Sequence, residues 1–469
     1  MSDMAQAHPA PLWIDRALKR TGDWLSAHQR AIQRVQWYVV AIYFVLIAVP
    51  VLLPLPDNAA HIWSNLTLFA QFVFWGLWWP LVLASMVLVG RAWCGLLCPE
   101  GALAEFASRH GRGAPAGRFV TWRYWPFVAF VLLTVYGQMV SVYQYPGPVL
   151  VVLGGSTLGA IAVGWLYGRS KRVWCRYLCP VSGVFALLTK LAPIHFRVDR
   201  EAYDASRERH DPIVPVNCAP MVPISVMEGS HGCHMCGRCN NFRGAISLAR
   251  RSPNDEIVNV AGDAPKPVET LLIVFGLMGV AAGAFHWSAS PWFIDIKQSL
   301  AEWLVDRGLV FLLDARMPWW ILTNYPDRND VLTLLDGTVL LGYIGATALI
   351  IGVLVTGCLA LATRMTGFWS WPRFHHLAQS LIPLAGCGVV LGLSALTVTM
   401  LRADGFALPF VDPARIALLA GASLWSLWLA GRIAARYGTS LAANTLAVAC
   451  IAIAVGIGDL SWALLFWIW

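Results

Sequence analysis

Along its length the chain alternates long apolar runs with short polar or basic stretches. Nine runs are long enough to cross a membrane as helices: 36–56, 66–90, 124–143, 149–168, 268–287, 335–363, 375–400, 414–431 and 441–460. About 20 helical residues cross a ~30 Å hydrocarbon core. The pattern predicts an all-α polytopic membrane protein with about nine transmembrane helices. Segment 288–334 has an apolar stretch around Trp303–Leu313 and reads as an interfacial helix on the outer leaflet.

Composition strengthens this picture. The 469 residues are 58% hydrophobic and 13% charged, against roughly 45–50% and about 25% in soluble chains. A soluble enzyme, a disordered chain and a disulfide-stapled secreted domain are excluded. The net charge of +8 is then a matter of membrane topology, not of nucleic-acid binding. Loops 57–65 and 144–148 hold no Lys or Arg, loop 91–123 holds five, and segment 169–267 holds fourteen. By the positive-inside rule the N-terminus, 91–123 and 169–267 face the cytoplasm of a bacterial inner membrane, and 288–334 faces the periplasm. Residues 1–35, with Arg16, Lys19, Arg20, Arg30 and Arg34, read as a basic cytoplasmic arm and not as a cleaved signal peptide.

The sequence repeats itself. Residues 91–99 read RAWCGLLCP and residues 172–180 read RVWCRYLCP, an offset of 81. Each copy follows an outer-to-inner span that is itself preceded by an inner-to-outer one. Residues 36–193 therefore form a duplicated four-helix module, a parallel repeat about an axis along the membrane normal. That axis brings Cys94/Cys98 opposite Cys175/Cys179 at the cytoplasmic rim. The i, i+4 spacing puts both sulfurs of a pair on one helical face. Pro99 and Pro180 suit the start of a new helix, so Glu100–Arg109 and Val181–Lys190 are expected to be short surface helices.

A third cysteine group lies in the cytoplasmic loop 194–267: Cys233, Cys236 and Cys239 at x2, x2 spacing, with Cys218 upstream. This is the run of bacterial ferredoxins without its x3-Cys-Pro ending, since Arg243 occupies that place. The loop thus reads as a small ferredoxin-like insertion whose fourth ligand is remote. Eight cysteines on one side make two four-ligand sites. Structural zinc favours paired knuckles around a sizeable loop, and a reducing cytoplasm disfavours disulfides. The spacing points to two [4Fe–4S] clusters held by Cys94, Cys98, Cys175, Cys179, Cys218, Cys233, Cys236 and Cys239. Spacing leaves the partition open: the pairs may be read as one quartet and the loop as the other, or with ligands exchanged between sites as in two-cluster ferredoxins. Arg91, Arg172, Arg176, Arg238 and Arg243 would offset cluster charge and raise the potentials, or simply anchor the cytoplasmic face.

Through WCGLLCPEGAL, WCRYLCPVSG and CHMCGRC, residues 36–250 resemble the membrane polyferredoxins of the NapH/NosR/CcoG type. The resemblance implies electron transfer through [4Fe–4S] clusters between quinol or cytoplasmic donors and periplasmic acceptors. The chain departs from the family in having one incomplete ferredoxin run where the family has two complete ones. With further spans after the cluster region, the layout is similar to the FtrD-like polyferredoxin subunit of bacterial iron-uptake systems. That likeness implies an iron permease or a periplasmic cupredoxin as partner.

The second membrane half, 268–469, has no comparable motif. Cys358, Cys387 and Cys450 are isolated in apolar runs and behave as small hydrophobes. His286 is expected at the outer end of its span, and His375 and His376 at an inner end, too far apart to share one metal or haem. Both clusters face inward, so an electron bound for the outside still needs a carrier. The candidates are a quinone, a flavin or a haem in the second half, or a partner protein. The chain reads as an electron carrier within an oxidoreductase system, with no independent substrate pocket in the sequence. The alternatives are a metal transporter and a metal- or redox-sensing assembly factor, such as one serving copper reduction. Transport is disfavoured because Glu269, Asp336 and Asp459, the acidic residues of the spans, lie near span ends.

Overall fold

In a computed structural model, residues 13–57, 59–210 and 213–469 are described; the first twelve residues of the expected basic arm lie outside that set. Eight helices are long and apolar enough to cross a membrane. They are α2 (Gln29–Leu52), α3 (Leu66–Val89), α7 (Pro146–Tyr167), α11 (Pro267–His286), α13 (Leu334–Met365), α14 (Trp371–Ala403), α15 (Val411–Tyr437) and α16 (Leu441–Ile468). The ninth expected span, 124–143, is the shorter apolar helix α6 (Trp125–Met139). Its 15 residues reach about 22 Å at 1.5 Å per residue, short of a ~30 Å core. Pro126 sits at its start, and after Met139 the chain turns through Ser141, whose φ is 50°.

Each repeat motif makes a short helix, α4 (Ala92–Leu96) and α8 (Val173–Tyr177). Helices do begin after the two prolines: α5 (Pro99–Arg109) and α9 (Ser182–Leu191). The spans feeding the two motifs each contain a wide π-type stretch, Phe72–Trp78 in α3 and Leu150–Gly154 in α7. Stretches of the same kind also occur at Leu272–Val280 and Leu464–Ile468, so the feature is not confined to the repeat.

Residues 194–250 are closed at their base by strand β1 (Ile194–Val198) paired antiparallel with β2 (Ile246–Arg250), in register Phe196 to Leu248. Helix α10 (Arg200–Glu208) follows β1 and is capped by Asp199, which accepts from the Ala202 amide at 3.0 Å. Helix α1 (Trp13–Ala27), within the described part of the basic arm, packs on β2 and pairs Asp15 with Arg250 at 2.9 Å, while Arg30 and Arg34 of the arm stand on the first turns of α2. The remainder of the loop is irregular and carries the third cysteine group.

The two membrane halves share one apolar core. Met86, Leu187 and Leu188 of the repeat module pack in the same buried cluster as Leu272, Leu377, Ile382 and Val455 of the second half. At the cysteine end of the bundle a buried ion pair ties the halves: Lys190 Nζ meets Glu269 at 2.6 Å and Gln379 Oε1 at 2.8 Å. At the opposite end lies α12 (Pro291–Asp306), which precedes α13 within the segment 288–334 and covers only Trp303–Asp306 of the apolar stretch Trp303–Leu313. It docks through Phe293 and Leu304 and leaves Trp292, Ile294, Trp303 and Val305 exposed.

Candidate metal centres

The repeated motifs fold into the same turn. The amides of Leu97 and Cys98 both reach the Trp93 carbonyl at 2.9 Å, and those of Leu178 and Cys179 reach the Trp174 carbonyl at 2.9 and 3.0 Å. This widened last turn reverses the chain at the second cysteine. Cys98 then caps α5, its sulfur accepting from the Gly101 amide at 3.4 Å. Cys94, Cys98, Cys175 and Cys179 line a single cavity whose walls are Tyr43, Trp78, Trp93 and other apolar side chains, with Glu100 at the edge.

Cys218, Cys233, Cys236 and Cys239 line a second cavity. Here too backbone amides face sulfur: Val222 donates to Cys218 and Met235 to Cys233, each at 3.4 Å. Gly237, with φ 76°, sits against Leu25 of α1, where a Cβ would not fit. The geometry therefore groups the eight cysteines as two repeat pairs around one cavity and the four loop residues around the other.

The segments that carry the two cysteine groups pack against each other. Gly95, between Cys94 and Cys98, lies against the His234 carbonyl, and a Cβ built on it would come within 3.0 Å of the Cys236 nitrogen. Gln36 donates to the Gly95 carbonyl at 2.9 Å and Gln29 to the Cys236 carbonyl at 2.8 Å.

The motif arginines cross between repeats. Arg172 reaches back to the first motif, donating to the Cys94 carbonyl at 2.5 Å and to Glu105 at 2.9 Å. Arg91 reaches forward to Ser182 at 3.2 Å, and Ser182 donates to the Cys175 carbonyl at 2.9 Å. Both arginines are buried, at 4% and 2% exposure for Arg91 and Arg172, so they are internal ties and not headgroup anchors. Glu105 receives Arg172 and Arg238 together, the latter at 2.8 Å. Burial opposes its ionisation, but the two guanidinium groups hold its carboxyl below the usual range. Losing one partner of a buried pair costs about 3–5 kcal/mol. Arg172→Leu is therefore expected to lower the unfolding midpoint of the solubilised chain far more than Arg176→Leu, whose guanidinium is exposed.

Burial pushes the Cys175 and Cys233 thiols up to about 12, against the pull of Arg172 on the first and of the Met235 amide on the second. It also raises Cys98 and Cys179. Any centre that takes these groups as thiolates must displace their protons. Among the described residues no three His, Cys, Asp or Glu side chains converge tightly enough to chelate one ion. Four sulfurs spread around a cavity suit a group whose metal atoms occupy separate corners. A lone zinc, with metal–sulfur bonds of about 2.3 Å, would require them to close in. The donor set and the amide-to-sulfur bonds fit an iron–sulfur cluster.

The lead-in to Cys233 is braced by Glu256, which accepts from the Ser230 amide at 2.8 Å and is paired with Arg251. Burial works against its charge, yet His231, Arg251 and the Ser230 amide hold its carboxyl well below the ordinary range. A depressed carboxylate adds stability that is fully present above its unfolded value, about 4.3, and is lost as pH falls through the folded one. Glu256→Gln is expected to cost about 3–5 kcal/mol at pH 7 by stranding Arg251. The difference from the parent should shrink as the pH is lowered below about 4, which unfolding midpoints across pH would show.

Sequence reasoning missed Glu105, Glu100, Gln29, Gln36 and the role of Gly95. The one available signal was an acid at 100 and another at 105 in an otherwise basic stretch. Of the histidines, His376 is fully buried with both nitrogens engaged, by Tyr437 Oη at 2.7 Å and the Ile257 carbonyl at 2.8 Å. His375 meets Thr270 at 2.9 Å. His286 is buried, and its Nε2 has no partner.

Residues 71–115 and 151–199 match the 4Fe-4S binding domain family, stretches that contain both repeat motifs but not the loop cysteines. The chain is 28% identical over 131 residues to the regulatory protein NosR of Pseudomonas aeruginosa, a match covering 24% of this chain and 18% of that protein. The chain thus matches less than a fifth of that relative's length. No solved structure matches it. These similarities support a membrane ferredoxin-like protein of the NosR/NapH type. Eight helices long and apolar enough to cross a membrane, with the match to a 4Fe-4S binding domain family over those two stretches, point to a multi-pass membrane protein.

Proposed function

We propose that the protein carries electrons through two [4Fe–4S] clusters at the cytoplasmic face of the bacterial inner membrane. Cys94, Cys98, Cys175 and Cys179 hold one cluster, in the module 36–193. Cys218, Cys233, Cys236 and Cys239 hold the other, in the insertion 194–267. The single observation that carries this reading is the gathering of eight cysteines into two quartets whose backbone segments pack together at Gly95 and Cys236. The Lys/Arg bias of 91–123 and 169–267 supports the orientation. The contact supports passage of an electron from one quartet to the other, with Arg172 and Glu105 fixing their separation.

When bound, the clusters supply one-electron carriage. The chain's own residues shape the environment: apolar walls exclude water from the repeat quartet, backbone amides face the sulfurs, and Arg91 and Arg172 stabilise negative charge. Hydrogen bonds to sulfur and nearby positive charge raise cluster potentials. The acceptor is a membrane or periplasmic redox partner, with an iron-uptake permease or cupredoxin as the specific candidate drawn from the layout.

The test is low-temperature EPR of the full chain purified anaerobically and reduced with dithionite. Two clusters in contact should give a spectrum broadened by spin–spin interaction, which collapses to an isolated signal in Cys236→Ser. Two independent, unbroadened signals in the parent protein would contradict the contact.

A further inference from the structure

The third cysteine group is interrupted by two residues that part company. Met235 has a φ of 53°, left-handed for a residue with a side chain, a conformation that persists only where the surroundings hold it. Met235 is 3% exposed and packs into the small core of Leu25, Ile32, Phe196 and Leu248. His234, just before it, instead lines the cavity of Cys218, Cys233, Cys236 and Cys239. His234 is 2% exposed, and its Nδ1 has no hydrogen-bond partner.

Leaving a buried polar group unmatched costs about 1–3 kcal/mol. An imidazole carries at least one N–H in either protonation state, so the ring always has a donor to place. The charged groups around it are the guanidinium groups of Arg91, Arg172 and Arg176, which donate and cannot accept. The cavity remains, and the acceptors that would fill it are the sulfurs of an iron–sulfur centre. Four cysteines already supply the ligands of such a centre, which leaves the imidazole free to hydrogen-bond to it.

We propose that His234 donates a ring N–H to a sulfur of the cluster held by Cys218, Cys233, Cys236 and Cys239 and so raises its reduction potential. The inference rests on the cluster reading above. A hydrogen bond to sulfur favours the reduced, more negative state of a cluster. His234 also stands where the two cysteine groups meet, its carbonyl lying against Gly95, between Cys94 and Cys98. The ring therefore tunes the loop cluster at the place where an electron passes to or from the repeat quartet. His234 lies outside the stretches that match the 4Fe-4S family.

The test is an anaerobic redox titration of the full chain at fixed pH, followed by EPR. His234→Leu removes the N–H and should lower one of the two midpoints, cutting the reduction equilibrium constant about tenfold, or about 59 mV for one electron. The midpoint that moves should be the one missing from Cys236→Ser. His234→Gln keeps N–H donors and should recover at least about half of the shift. Iron and acid-labile sulfide should stay at the parent level in both variants. Unmoved midpoints in His234→Leu at full iron would overturn the proposal, as would an equal shift in His234→Gln, which would mark a loss of packing. If the leucine variant fails to hold its iron, the parent decides. Carrying histidine labelled with heavy nitrogen, its reduced loop cluster should show a weak nitrogen coupling in pulsed EPR that His234→Gln lacks. No histidine coupling, or the strong coupling of a metal-bound nitrogen, would overturn the hydrogen bond. A parent chain without iron and sulfide would instead overturn the cluster reading itself.

Discussion

Replacing Cys236 by Ser is expected to halve the metal content of the chain, from about eight irons to about four. Cys236 lines only the cavity of the loop quartet, with Cys218, Cys233 and Cys239, and the repeat quartet has its own walls in α3, α4, α7 and α8. Cys179→Ser should give the complementary half. The two variants should therefore retain different clusters, with different EPR signatures and potentials. The measurement is iron per chain with EPR on each variant. Loss of the same signal in both would mean that the sites exchange ligands, the alternative that spacing leaves open.

Gly95→Ala should have the next largest effect. Its added methyl would meet backbone, the His234 carbonyl and the Cys236 amide, which cannot swing aside as a side chain can. Overpacking in a tight core costs about 1–3 kcal/mol, and here the strain falls on the join between the quartets. The expected outcome is a chain that keeps the repeat cluster, loses occupancy of the loop cluster and loses the spin–spin broadening. Gly155→Ala is the control. Gly155 lies in α7 with open space around it, and the substitution should leave iron content unchanged. Full iron and unaltered broadening in Gly95→Ala would show that the contact is not needed to seat the loop.

The spans and the cysteines were legible because both follow from short-range chemistry. Apolar runs announce themselves by length, and the repeat RxWCxxLCP marks the cysteines by their spacing, although the short helices end at Leu96 and Tyr177, so that Cys98 and Cys179 lie past the helical turns that hold Cys94 and Cys175. The count of spans was less legible. Residues 124–143 are mostly apolar, and only the backbone shows the helix stopping at Met139 before the Ser141 turn. The partition of the cysteines was not legible at all, since it depends on how the loop of 218–239 lies across α4, a contact between residues about 140 positions apart. The same holds for Arg91 and Arg172. In sequence they look like membrane-edge cations, and only the folded repeat shows each reaching into the other copy. Composition also does not show that residues Trp13–Ala27 of the arm form a helix packed on β2, tied by Asp15 to Arg250.

The most direct test is a determination of iron, acid-labile sulfide and zinc in the chain purified without oxygen. Two cubanes require about eight irons and eight sulfides per chain with negligible zinc. Stoichiometric zinc without sulfide would contradict them, because the eight thiolates would then be holding single ions that carry no current.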